Sequence, residues 1–260
     1  MTVSIDRCPK CGAPISPDDV VCPVCGAKLK SDFLERLLPI LRPPKKEEIR
    51  PLNLFERIYY LLLNPSLIFQ DYALSLSAKI PMFYLLLNVL LDVLIFDTFY
   101  LHLPTAFTYY GLIGLLIASV TVFFAHFVLF VIFVAVISLM PFLLSKIYGG
   151  KSNYQRVFMI SLISFAPLIF YKLLVVCVVA MYNLPTGVIN PLDIIHLIDQ
   201  FYASSTFTFL TYIEAGFYIW IALLLAVGLR ELSEIPINNA LLISAATAGL
   251  ILAVRFVILA

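Results

Sequence analysis

The chain has 260 residues, 62% hydrophobic and 13% charged, with a mean hydropathy of +1.01 and a formal net charge of +1. Soluble domains carry roughly 25% charged residues, so the composition excludes an ordinary soluble enzyme or binding module. Near-neutrality gives no sign of a nucleic-acid partner, and none is expected.

The charges are unevenly placed. Eleven of the 17 basic and nine of the 16 acidic residues precede residue 80. This is the pattern of a short polar head on a multi-span membrane body. Residues 1–30 have cysteines, prolines and aspartates where a secretory signal would need an apolar run, so the first span is expected to act as the insertion signal.

The head opens on two matched knuckles, Cys8-Pro9-Lys10-Cys11-Gly12 and Cys22-Pro23-Val24-Cys25-Gly26. Two thiolates two residues apart wrap one side of a tetrahedral ion, and a second pair closes the other. The glycine after each second cysteine accepts left-handed dihedrals and lets backbone approach sulfur. Cys8, Cys11, Cys22 and Cys25 would complete the coordination of a structural zinc with no open position for catalysis. Arg7, Lys10, Lys28 and Lys30 are placed to offset the thiolate charge. Two disulfides, a redox pair or an iron site of rubredoxin type are the alternatives. The redox reading lacks a βαβ context, and zinc is preferred. From Arg7 to Leu29 the segment resembles the short zinc ribbons that precede many prokaryotic membrane proteins. The remaining cysteine, Cys177, is read as a small core residue of a span.

Residues 31–51 form a linker. Ser31-Asp32 can cap a short amphipathic helix, and Pro43-Pro44-Lys45-Lys46-Glu47-Glu48 is stiff and polar. Residues 52–79 hold two short apolar segments separated by Asn64-Pro65. Both are too short to span. They are predicted either to lie in the headgroup layer or to pack under the bundle.

Five spans follow, at about 80–101, 113–144, 157–181, 207–229 and 238–259, giving a membrane domain over 80–260. The second is too long for a straight crossing, so it either tilts or begins as an interfacial turn after Pro104. The loops 102–112 and 182–206 have no Lys or Arg, whereas Lys146, Lys151, Arg156 and Arg230 flank the alternate loops. With Lys45, Lys46, Arg50, Arg57 and Lys79 ahead of the first span, every positive segment falls on one face. The N-terminus is therefore expected in the cytoplasm and the C-terminus outside. The ribbon thiolates, which need a reducing compartment, point the same way. Within 191–202, Ile194, Ile195, Ile198, Phe201 and Tyr202 read as an amphipathic helix on the outer surface.

Asp92, Asp97, Lys172, Glu214 and Arg255 fall inside the predicted spans. Buried charges usually pair or line a wet cavity. The helical rise puts all five in the outer half, with Asp92 ~18 Å and Lys172 ~22 Å from the inner boundary. The expected pairs are Lys172 with Asp92 or Asp97, and Arg255 with Glu214 or an aspartate. Snorkelling is the alternative for Asp97 and Arg255. His126 is read as a satisfied core or interhelical histidine, and Pro167 is expected to free a carbonyl near Ile163 and kink the third span. Gly149-Gly150-Lys151-Ser152 lacks the first glycine and the preceding strand of a phosphate loop. It reads as a tight turn.

The body resembles the Yip domain family (Ypt/Rab-interacting proteins), in its prokaryotic branch. The likeness runs over residues 52–260. It is carried by Phe55-Glu56-Arg57-Ile58 with Asn64-Pro65 and Phe69; by His126; by Gly149-Gly150-Lys151-Ser152-Asn153-Tyr154 followed by Phe165-Ala166-Pro167; and by Trp220, Gly228-Leu229-Arg230-Glu231 and Ala240. The Asp-Leu-Tyr-Gly-Pro motif of the eukaryotic vesicle-traffic members is absent. The resemblance implies five spans, a cytosolic N-terminus and no enzymatic activity. The expected molecule is an all-α polytopic membrane protein with a small N-terminal zinc ribbon, in a prokaryotic plasma membrane. Its expected work is membrane organisation or recruitment of a cytosolic protein through the ribbon, with self-association into a homo-oligomer left open. A transporter or channel using the five intramembrane charges is the rival reading.

Overall fold

The computed structural model of the protein describes residues 6–7, 11–15, 24–25, 51–75, 77–101, 104–181, 200–201 and 203–259. The chain divides into two compact units, Met1–Ile68 and Phe69–Ala260.

In the first unit, β1 (Asp6–Arg7) pairs antiparallel with β2 (Pro14–Ile15), Asp6 opposite Ile15 and Arg7 opposite Pro14. The short hairpin brackets the first cysteine pair. Gly12 lies inside it at φ +73°, the left-handed geometry that the knuckle reading requires of this position. Helix α1 (Leu54–Leu63) begins in a capping box. The Asn53 side chain accepts from the Glu56 N–H, and Glu56 Oε2 accepts from the Asn53 N–H. Asn64 ends the helix. Pro65 then opens α2 (Pro65–Ser75) at a first-turn position where its missing N–H costs nothing. The two short helices differ in exposure. Phe55, Tyr59, Leu62 and Leu63 form an exposed apolar stripe on α1 at helical spacing, whereas Ser66 to Phe69, Asp71 and Tyr72 of α2 are buried.

The second unit holds five helices long and apolar enough to cross a membrane. Helix α3 (Lys79–Leu101) buries a stripe through Ile80, Tyr84, Leu85, Asn88 and Val89 and exposes Leu86, Leu90 and Leu94 on the other side. In water that exposure would be a liability; in lipid it is the expected outer surface. Helix α4 (Pro104–Ile147) contains one non-helical residue, Gly111, at φ 59° and ψ −171°. The break makes residues 104–110 a separate short helical segment before the crossing segment Gly111–Ile147. At 1.5 Å per residue, its 37 residues run about 55 Å, well beyond a ~30 Å hydrocarbon core.

The third crossing is two helices, α5 (Tyr154–Ser164) and α6 (Leu168–Met181). The interruption falls at the expected place, around Pro167, and takes the form of a break between two helices. Between them Ala166 N–H donates to Ile163 O, Leu168 N–H to Phe165 O, Ile169 N–H to Ala166 O and Phe170 N–H to Pro167 O. The carbonyl that Pro167 was expected to free at Ile163 is thus taken by a tighter three-residue bond. Helix α7 (Ser205–Ser233) starts at an Ser204 cap, and α8 (Ile237–Leu259) closes the chain.

The core joins all five crossings. Leu85 of α3, Val134 and Ile137 of α4, Leu162, Phe165, Leu168 and Tyr171 of the third crossing, Tyr218 and Ile221 of α7 and Ile251 of α8 form one cluster. Phe165 sits in the interruption with Phe130 and Phe133 edge-on to it, both 5.8 Å away. Gly228 lets α7 close on its neighbours: a Cβ there would lie 2.5 Å from Ile160 Cγ2 and 2.7 Å from Phe69 Cε1.

One end of the bundle is tied by loops. Helix α4 ends in a Schellman motif, with Gly149 N–H on Lys146 O and Gly150 N–H on Ser145 O, and Gly149 at φ +78°. The loop it starts is bound to the α7–α8 loop. Lys151 N–H donates to Ser233 O, Ser233 Oγ to Ser152 Oγ, and Lys151 Nζ reaches Glu234 at 2.6 Å. That hydrogen bond and the Glu234 charge hold the Lys151 ammonium above its usual pKa.

Candidate functional site

Two places carry the chemistry singled out by the sequence: the cysteine knuckles and the charges inside the spans. Of the four cysteines, Cys11 and Cys25 are described, the first exposed and the second half-buried at a turn, while Cys8 and Cys22 lie outside the described residues. The β1–β2 hairpin and the left-handed Gly12 suit a four-thiolate zinc, which Cys8, Cys11, Cys22 and Cys25 would hold.

The intramembrane charges are met individually. Lys172 Nζ of α6 donates to Asp92 Oδ2 of α3 at 2.8 Å and to the main-chain oxygen of Asn88, one turn earlier on α3, at 3.1 Å. The ammonium also stands 5.5 Å over the Phe130 ring. Lys172 is 9% exposed, so these contacts replace most of its solvation. The Asn88 main-chain oxygen has a second lone pair for the lysine, and its side-chain amide donates back to Tyr84 O.

Glu214 of α7 is equally buried, 4% exposed, and its carboxylate accepts from two phenols, Tyr171 at 3.2 Å and Tyr218 at 3.0 Å. Tyr171 precedes Lys172 in the chain and Tyr218 lies one turn after Glu214. The two acids are therefore served by adjacent positions of α6. Asp97 stands apart from the lysine and accepts from Ser119 Oγ of α4 at 2.7 Å. Arg255 lies on α8, and its side chain is outside the described residues.

Asn88, Tyr171, Tyr218 and Ser119 were not singled out from the sequence. The usable signals were the one-turn spacings Asn88–Asp92 and Glu214–Tyr218, which put a polar neighbour on the same helix face as each acid. Two other residues are placed differently from the sequence reading. His126 is exposed on the side of α4, where its Nδ1 meets Val122 O of its own helix at 3.0 Å; it is not a core group. Cys177 is exposed on α6 and is no part of the core. Trp220 is half-buried, with an indole N–H that has no acceptor among the described residues. The linker cap Ser31-Asp32 and most of the 191–202 helix lie outside the described residues; Gln200 and Phe201 are helical.

A zinc-ribbon domain model matches residues 7–29, and a Yip1 domain model matches residues 59–259. The chain belongs to the Yip1 domain family. Comparison with curated proteins and with solved structures returns no match. The Yip1 domain covers all five crossings, the Lys172–Asp92 pair and the tied loops, so the membrane body is a multi-pass Yip1 domain carrying an N-terminal zinc-ribbon domain.

Proposed function

We propose that this Yip1-domain protein is a non-enzymatic organiser of the membrane that recruits a cytosolic partner through its ribbon. In this reading the N-terminus is cytoplasmic, the C-terminus is outside, the membrane is the plasma membrane, and Cys8, Cys11, Cys22 and Cys25 hold a structural zinc. Residues 1–30 are the ribbon, 31–51 a linker, 52–79 the membrane-surface helices and 80–260 the anchor.

The observation that carries the reading is how the described charges inside the spans are used. Lys172 is met by a carboxylate and a carbonyl, Glu214 by two phenols, and Asp97 by a serine. Groups engaged in this way serve as glue between helices rather than as a row of open sites for a moving ion. The ribbon has the complementary character. It is a small cross-linked module with little core, so its surface is available for contact.

The test compares proteins cross-linked in intact cells to the full chain and to the Cys8→Ser/Cys22→Ser double variant. The expected result is a specific soluble protein that is lost from the variant while the variant stays in the membrane at normal levels. An identical set of cross-linked proteins removes the ribbon from recruitment. Ion flux through vesicles containing the purified chain, abolished by Asp92→Asn, would replace the organiser reading with a transporter.

A further inference from the structure

Beside the Lys172–Asp92 pair, α3, α4, α6, the start of α7 and Phe201 just ahead of it line an open-sided cavity of about 350 Å³. Its wall is largely aromatic and aliphatic. Phe99, Phe201 and Phe207 stand in series, each 5.8 Å from the next, and Phe96, Val175 and Val179 continue the surface. Asp92 and His126 are the two polar residues of the described lining. His126 is exposed and most of the α3 lining is half-buried, so the cavity opens on the side of the bundle. For a helix in lipid that side faces acyl chains, and whatever enters comes from the bilayer.

The polar chemistry is one-sided. Val122 O, 3.0 Å from His126 Nδ1, can only accept, so Nδ1 carries a proton and Nε2 of the neutral ring is an acceptor. Asp92 gives one oxygen to Lys172, and an ionised carboxylate has further lone pairs on both oxygens. One turn earlier on α3, buried Asn88 Oδ1 has no donor among the described residues. Beyond the ion pair, the neighbouring charges among the described residues, Glu214 and Asp97, are also acidic. A phosphate or carboxylate would meet acceptors and like charge here. A group bearing N–H or O–H would find partners.

Size narrows the ligand further. At roughly 30 Å³ per water-sized group, the cavity takes about ten such groups. That is one chain of moderate length, or the end of a longer one reaching in through the open side.

We propose that this cavity binds a single-chain amphiphile whose head, an ammonium or a hydroxyl, donates hydrogen bonds to Asp92 or His126 while its chain lies along Phe96, Val175 and Phe207. The site is separate from the ribbon and does not depend on the recruitment reading.

The test uses the full chain in phosphatidylcholine nanodiscs with three probes that differ only in the head: dodecylamine, dodecanol and dodecanoic acid, each with a photoreactive diazirine on the chain. The amine and the alcohol are expected to label the peptides containing Phe96 and Val175, with unlabelled dodecylamine competing and the acid labelling about tenfold less. The stronger of the two donors identifies the natural head. His126→Phe keeps the ring volume and removes an acceptor, so it should narrow the preference over the acid. Val175→Trp fills the cavity and should abolish specific labelling. Because competition is measured on the unaltered chain, the result stands even if a variant fails to fold. Equal labelling by all three heads, or labelling spread over the lipid-facing helices without competition, overturns the proposal.

Discussion

Lys172 shows what makes a cation tolerable inside hydrocarbon. Leaving such a group unanswered at the centre of a span costs about 2.5–3.5 kcal/mol on insertion scales. Here a carboxylate, a carbonyl and an aromatic face stand within reach. Removing one partner of a buried pair costs about 3–5 kcal/mol because the other is left uncompensated. Lys172→Asp and Asp92→Lys are each expected to destabilise by that order, and the combined swap to recover a large part of the loss. Unfolding of the purified chain in mixed micelles measures this, and two harmless single changes would show that the contact contributes nothing. The sequence placed both acids of α3 at depths close to Lys172. It did not say which one faces α6. Asp92 and Asp97 are five residues apart, about 140° around a helix, so only one can share a face with the lysine. That choice depends on how α3 is rotated by packing of Tyr84, Leu85 and Val89, which no single-sequence depth estimate contains.

At the scale of elements, length and hydropathy were enough to read five crossings. The breaks within them were partly legible. The second apolar run was too long for one crossing, and Gly111 is where it divides. Pro167 marked a disturbance in the third, but whether a proline bends a helix or splits it depends on who takes the released carbonyl. Here Ala166 does, and the helix divides around Phe165. Apolar content alone could not separate α1 from α2, since both read as short hydrophobic segments. Their burial separates them: the stripe Phe55, Tyr59, Leu62 and Leu63 is exposed, whereas Ile68 and Phe69 are fully buried. An exposed stripe of that kind on a helix outside the spans favours the headgroup layer. A fluorophore attached at Phe55→Cys should be quenched by lipids brominated near the headgroup and not by an aqueous quencher. Quenching from water alone would take α1 off the membrane surface.

At the scale of the whole molecule, the binding of the α4–α5 loop to the α7–α8 loop puts both on one face of the bundle, as an alternating path through the membrane requires. In the proposed reading the ribbon is a different kind of structure, held by ligands rather than by a core. The chain is expected to carry about one zinc per molecule. The Cys8→Ser/Cys22→Ser variant should lose it, with the unfolding midpoint of the membrane domain unchanged. Metal content by atomic emission, with thermal unfolding of the same sample, checks both parts. A shared loss of metal and of membrane-domain stability would mean that the ribbon is built into the bundle.

The Lys172–Asp92 contact also has a consequence in time. The two residues are 80 positions apart. At roughly 5–20 residues per second, synthesis brings the lysine about 4–16 s after the aspartate. During that interval the first crossing is made and its carboxylate has no cation to meet. Until the third crossing arrives that contact is missing, so the first crossing is expected to be held less firmly in the membrane. A ribosome stalled between residues 110 and 150 should leave the first crossing far more easily extracted from the membrane than one stalled after residue 185, and Asp92→Asn should reduce that difference.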